Sequence, residues 1–100
     1  MDEKEKMKLG KTGQSIAHKL RESLCPTELE VIDESGRHAG HAGARPEGET
    51  HFRIRVASAA FDGRSRLERH RIIHQILEEE LAGSVHALAI EARSSIQNTR

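Results

Sequence analysis

His51-Phe52-Arg53-Ile54-Arg55-Val56 alternates polar or charged residues with apolar ones at strict two-residue spacing. That period belongs to a strand with one face on a core and a basic face in water. Downstream, Phe61-Asp62-Gly63 supplies a turn, and Ser65 followed three residues later by Glu68 has the spacing of a capping box that opens a helix. The helix carries Ile72, Ile73, Ile76, Leu77 and Leu81 on one side, and Glu78 to Glu80 and Gly83 mark its end. Val85 to Ala92 then reads as a strand in which Leu88 and Ile90 share a face and Ala87 and Ala89 the other. A strand-helix-strand crossover places its two strands parallel.

Working back toward the N-terminus, Ser35 to Gly48 holds four glycines, three alanines, Pro46, His38 and His41, with no pattern that could bury a face. Loops of this length inside a domain are functional or disordered. Before it, Leu29 and Val31 alternate with Glu30 and Ile32 in a strand from Glu28 to Asp33. This strand pairs antiparallel with the 51–56 strand through the long connection. Ile16, Leu20 and Leu24 recur at four-residue spacing on a helix from Thr12, which Pro26 stops. The expected fold is α/β of the α+β kind, in the order αββαβ. Its small three-stranded mixed sheet is covered on one face by helices, and the other face, with Arg53, Arg55, Ala87 and Ala89, is open. Residues 1–11 read as a charged flexible tail, 12–93 as the domain and 94–100 as a polar tail.

A chain of 100 residues builds one compact domain. Its single cysteine, Cys25, cannot close an internal disulfide or supply a four-cysteine metal site. At a helix end before Pro26, a partly buried structural thiol is expected. Apolar runs are far shorter than the ~20 residues of a membrane helix, and Met1-Asp2-Glu3-Lys4-Glu5-Lys6 lacks the apolar region of a secretory signal. The expectation is a cytoplasmic protein without a membrane role. The net charge of zero hides a segregation. Glu28 to Thr50 is net negative by four and Arg53 to Arg71 net positive by four. An open Arg53/Arg55 face could therefore meet an acidic partner.

No nucleophile elbow, phosphate-cradling loop or His-Glu-x-x-His helix is present, and a non-enzymatic role is expected. Among the seven histidines, His18 and His74 fall on helix surfaces. His51 belongs with Arg53 on the exposed strand face. His70, between Arg69 and Arg71, suits a structural hydrogen bond or an anion contact. His38 and His41 lie in the loop, and His86 has the core-facing parity of Leu88 and Ile90 at the strand's end, from which it can reach the sheet rim. Neutral imidazole is a good ligand for zinc, copper and iron. Two imidazoles make half a site, as on one iron of a [2Fe-2S] centre with two histidines.

Asp33-Glu34-Ser35, Arg37-His38, Glu49-Thr50-His51-Phe52-Arg53-Ile54, Ser58-Ala59-Ala60-Phe61-Asp62-Gly63-Arg64-Ser65, Arg69-His70-Arg71-Ile72-Ile73 and Val85-His86-Ala87-Leu88-Ala89-Ile90 together resemble the BolA family, over about Gly13 to Arg93. The resemblance implies a class II KH-like fold and pairing with a monothiol glutaredoxin. The partners would share a [2Fe-2S] cluster, held on the other side by the glutaredoxin cysteine and glutathione, with none in the isolated protein. Its implied ligands here are His86 and one of His38 and His41, in iron-sulfur trafficking or iron sensing. The family is also associated with DNA-binding transcriptional regulation of stress response and cell morphology, for which Arg64, Arg66, Arg69 and Arg71 are the candidate phosphate contacts. Gly63 is followed by Arg64-Ser65-Arg66, a departure from the Gly-x-x-Gly clamp of nucleic-acid-binding KH domains. Alone, the chain is expected to be a monomer or weak homodimer.

Overall fold

The computed structural model describes residues 9–35 and 49–95. Helix α1 spans Lys11–Leu24, and strands β1 and β2 span Glu28–Asp33 and His51–Ser58. A 3-10 turn at Ala59–Phe61 leads to α2 (Arg66–Ile76), α3 (Glu78–Ala82) and β3 (Ala87–Ser94). The sheet order is β1-β2-β3, with β1 antiparallel and β3 parallel to the central β2.

Register aligns the apolar positions. Val31 lies opposite Ile54, and Leu29 opposite Val56. Phe52, Ile54 and Val56 face Leu88, Ile90 and Ala92 in turn. Onto this face α1 lays its stripe of Ile16, Ala17, Leu20 and Leu24, and Ile73, Leu77, Phe61 and Val85 complete the buried cluster. The expected element order, mixed sheet and one-sided helical cover are all present.

Several boundaries differ from the sequence reading. Leu9 packs against the core, ahead of the helix that begins at Lys11. The single expected second helix is interrupted at Leu77 (φ −102°, ψ 22°), whose side chain is fully buried. Glu78, Glu79 and Glu80 then occupy the first turn of α3, where negative charge meets the helix's positive end. The Ser65–Glu68 capping box forms with both of its hydrogen bonds. Its carboxylate is held below the usual range, chiefly by the Ser65 backbone N–H. The last strand starts at Ala87, two residues later than its apolar pattern suggests. Val85 is tied by its N–H to Glu80 O and plugs the core from the preceding turn. Cys25 is exposed, contrary to the expected buried thiol. It adopts left-handed geometry (φ 43°) with its N–H donating to Arg21 O, which turns it out of the α1 stripe.

The open face of the sheet carries a ladder of ion pairs. Arg55 reaches Glu30 on β1 and Glu91 on β3. Arg53 reaches Glu34 and Glu91. Glu28 and Arg93, the two register partners of the fully buried Ala57, bond to each other across the central strand. Arg53 and Arg55 are therefore engaged by the chain's own acids, and the free basic face expected for an acidic partner does not exist. Of the basic segment, Arg53 and Arg55 are neutralised across the sheet by Glu30, Glu34 and Glu91. Exposed pairs of this kind contribute about 0–1 kcal/mol each, so their main effect is on surface charge.

On the helical side, Lys19 donates to Glu79 and Glu80 (2.7 and 3.1 Å), and Ser15 donates to Glu80 (2.8 Å), joining α1 to α3. Burial would raise the Glu80 carboxyl pKa, but the bonds from Lys19 and Ser15 outweigh it and hold the group below its ordinary value. A depressed folded pKa stabilises the fold above the unfolded value of about 4.3, and that contribution is lost as pH falls through the folded pKa. Denaturant titrations below about pH 4.3 should show wild type losing more stability on acidification than Glu80→Gln. In the core, Ile54→Ala is expected to cost about 2–5 kcal/mol and Ile54→Val about 0.5–1.5 kcal/mol by the same measurement.

Candidate functional site

The two stems of the 36–48 connection are joined by side-chain hydrogen bonds. Asp33 accepts from the N–H groups of Ser35 (2.9 Å) and Glu49 (3.1 Å) through its two oxygens. The buried Ser35 hydroxyl accepts from the N–H of Thr50 (2.8 Å) and of His51 (3.1 Å). Glu49 sits at φ 64°, an unfavourable region for a residue with a Cβ. Its carboxylate accepts the Gly13 N–H at 3.0 Å, so it meets the positive end of α1, whose N-cap Gly10 offers no side chain. A Cβ on Gly10 would lie 2.5 Å from that carboxylate, which explains the glycine.

Thr50 links this base to the third strand. Fully buried, it accepts the His86 N–H at its carbonyl at 2.7 Å. Its hydroxyl lies 2.8 Å from His51 Nδ1 and 3.3 Å from Ser35 Oγ. The ring of His51 stands 6.0 Å from that of His86, tilted by 37°. His86 is exposed and precedes β3, so the core-facing placement expected from its parity is wrong. The strand starts after it, and the parity rule does not extend beyond the strand. His51, expected on the exposed strand face beside Arg53, is half-buried. It neighbours His86 because Ala87 pairs with His51 in the parallel register, which no local spacing reveals. His38 and His41 lie outside the described residues. Among the described residues, no three His, Cys, Asp or Glu side chains are grouped to hold a metal ion.

The arginine-rich start of α2 divides into two kinds of residue. Arg64, Arg66 and Arg71 are exposed. Arg69 is half-buried, donating to Arg64 O and to Ala92 O, both at 3.0 Å. It ties α2 to β3 through Nε and Nη1, which commits part of its guanidinium to the fold. Burial, with Arg66 and His74 nearby, lowers the His70 pKa. The shift favours the neutral ring over the cation.

A family model described as BolA-like protein matches residues 20–97, and the chain belongs to the BolA family. It is 50% identical over 88 residues to BolA-like protein 1 of Mus musculus, covering 88% of this chain and 61% of that protein. It is 46% identical over 77 residues to the DNA-binding transcriptional regulator BolA of Escherichia coli, covering 77% and 70%. Among solved structures, the BolA domain of SufE1 from Arabidopsis thaliana superposes with a TM-score of 0.81 at 46% identity, covering 89% of this chain and 98% of that one. The chain spans about three-fifths of the mouse relative and 24% of SufE-like protein 1, chloroplastic/mitochondrial, of Arabidopsis thaliana. Organellar and bacterial relatives together mean that membership alone does not assign the cytoplasm. Among the described residues, no helix is long and apolar enough to cross a membrane.

Ser35→Ala removes the acceptor of two backbone donors and should cost about 1–3 kcal/mol. Denaturant unfolding measures the loss, and faster amide exchange at Thr50 and His51 locates it.

Proposed function

We propose that this chain is a non-enzymatic adaptor that binds a monothiol glutaredoxin and co-ligates a shared [2Fe-2S] cluster, in iron-sulfur trafficking or iron sensing in the cytoplasm. One observation carries most weight: Ser35 and His86 both hydrogen-bond to Thr50. The base of the histidine-bearing loop and the exposed imidazole thus share one end of the sheet. His38 lies three residues beyond Ser35, within about 10 Å of it along an extended chain. The donor set suits the role. His86 and one of His38 and His41 form half a site that a partner's thiolates complete, and neutral imidazole is an accepted cluster ligand. The isolated chain holds no cluster, and the pair assembles only with glutaredoxin and glutathione.

The test mixes the full chain with a monothiol glutaredoxin, iron, sulfide and glutathione and records visible absorption and circular dichroism. The glutaredoxin spectrum should change on adding the chain, and His86→Ala should abolish that change. Retention of the change in His86→Ala would overturn the ligand assignment. Comparing His38→Ala with His41→Ala identifies the loop ligand as the variant with the altered spectrum.

A second reading, DNA-binding transcriptional regulation, is favoured by the exposed Arg64, Arg66 and Arg71 and by the name of the Escherichia coli relative. It requires binding that weakens with salt. Replacing one phosphate-contacting arginine should reduce the salt slope by about 1.

A further inference from the structure

Strand β3 forms one edge of the sheet among the described residues. The Ala87 N–H reaches Thr50 O, so in the parallel ladder Ala87, Ala89, Glu91 and Arg93 turn their backbone groups toward β2. Leu88, Ile90 and Ala92 turn theirs outward. The Ala92 carbonyl is taken by Arg69. Among the described residues, no hydrogen bond reaches the outward N–H and C=O groups of Leu88 and Ile90.

Alongside this edge runs a groove of about 420 Å³, with Arg64, Arg66, Arg69 and His70 on one wall and Ile90 to Arg93 on the other. Arg64 and Arg66 are exposed and take part in no salt bridge among the described residues. The one acid on the wall, Glu91, is engaged by Arg53 and Arg55. The groove therefore combines unpaired strand-edge groups with positive charge on Arg64 and Arg66, of which Arg64 is partly offset by Glu68 nearby.

We propose that this groove binds an extended acidic peptide segment of a partner protein, which adds to β3 as a fourth strand. Its backbone pairs with Leu88 and Ile90, and acidic side chains at alternate positions face Arg64 and Arg66. Side chains on the groove side of an added strand recur every second residue, so alternating acids fit and a block of acids fits less well. Arg69 on the Ala92 carbonyl ends the available edge and so limits the added strand to a short one. A peptide suits this site better than a nucleic acid. The chain has no Trp or Tyr, and Phe52 and Phe61 are buried, so no Phe, Tyr or Trp ring lines the groove for stacking bases.

The test titrates the full, isotope-labelled chain with an end-blocked peptide of alternating Glu and Thr, followed by amide chemical shifts and hydrogen exchange. Shifts should centre on Leu88, Ile90 and Ala92, with exchange at Leu88 and Ile90 slowed about tenfold at saturation. The double variant Arg64→Glu, Arg66→Glu should weaken binding by about tenfold or more while keeping the dispersed spectrum of a folded chain. Three outcomes overturn the proposal: unchanged exchange at Leu88 and Ile90, unchanged affinity in the double variant, or equal binding of a Lys-for-Glu peptide. A single-stranded oligonucleotide of matched charge that binds more tightly at the same amides would assign the groove to nucleic acid instead.

Discussion

Thr50 occupies the point on which the architecture turns. It is wholly buried at the entrance to the central strand, where unsatisfied backbone groups would be costly. Its N–H goes to Ser35, beyond the end of β1, and its carbonyl takes the His86 N–H ahead of β3. One residue thus places the end of β1 and the starts of β2 and β3 relative to one another. The apolar register follows from that alignment. The helices gain a continuous face to cover because Ile54 and Val56 are flanked by apolar partners on both sides and Phe52 by Leu88 on one.

Charge is organised by the same register. Acids on β1 and β3 flank the arginines of β2, and the exposed sheet face is locally compensated. The basic character that remains lies at the start of α2, on Arg64, Arg66 and Arg71, away from the sheet's open face. One surface is thus compensated, while another keeps its sign. The two surfaces suit different partners, since long-range attraction acts only where charge is left unpaired.

Period-two alternation in 51–56, four-residue spacing in α1 and the Ser65–Glu68 pair are local signals, and each element they mark is present. What sequence could not show arises from tertiary pairing. Arg53 and Arg55 looked free because their acids lie on other strands. Arg69 resembled its neighbours in the basic run, yet its guanidinium reaches a carbonyl on β3, 23 residues away. The parity of His86 was extrapolated past the true strand start, which Val85 displaces by turning into the core. His51 gained its histidine neighbour only through parallel register. Glu49, which caps a helix 36 residues before it, left no local trace. For the candidate site, sequence pointed to His86 near one end of the sheet, while the hydrogen-bonded base of Asp33, Ser35, Glu49 and Thr50 became visible only in three dimensions.

The base formed by Asp33, Ser35, Glu49 and Thr50 works as a socket. Both anchor points of the intervening segment are fixed by bonds that do not involve it, so its length and composition can change without disturbing the core. Lengthening a loop costs little, about 0.6 kcal/mol per doubling. A substitution between residues 36 and 48 therefore leaves the hydrogen bonds among Asp33, Ser35, Glu49 and Thr50 in place, and with them the Thr50 carbonyl that holds the His86 N–H.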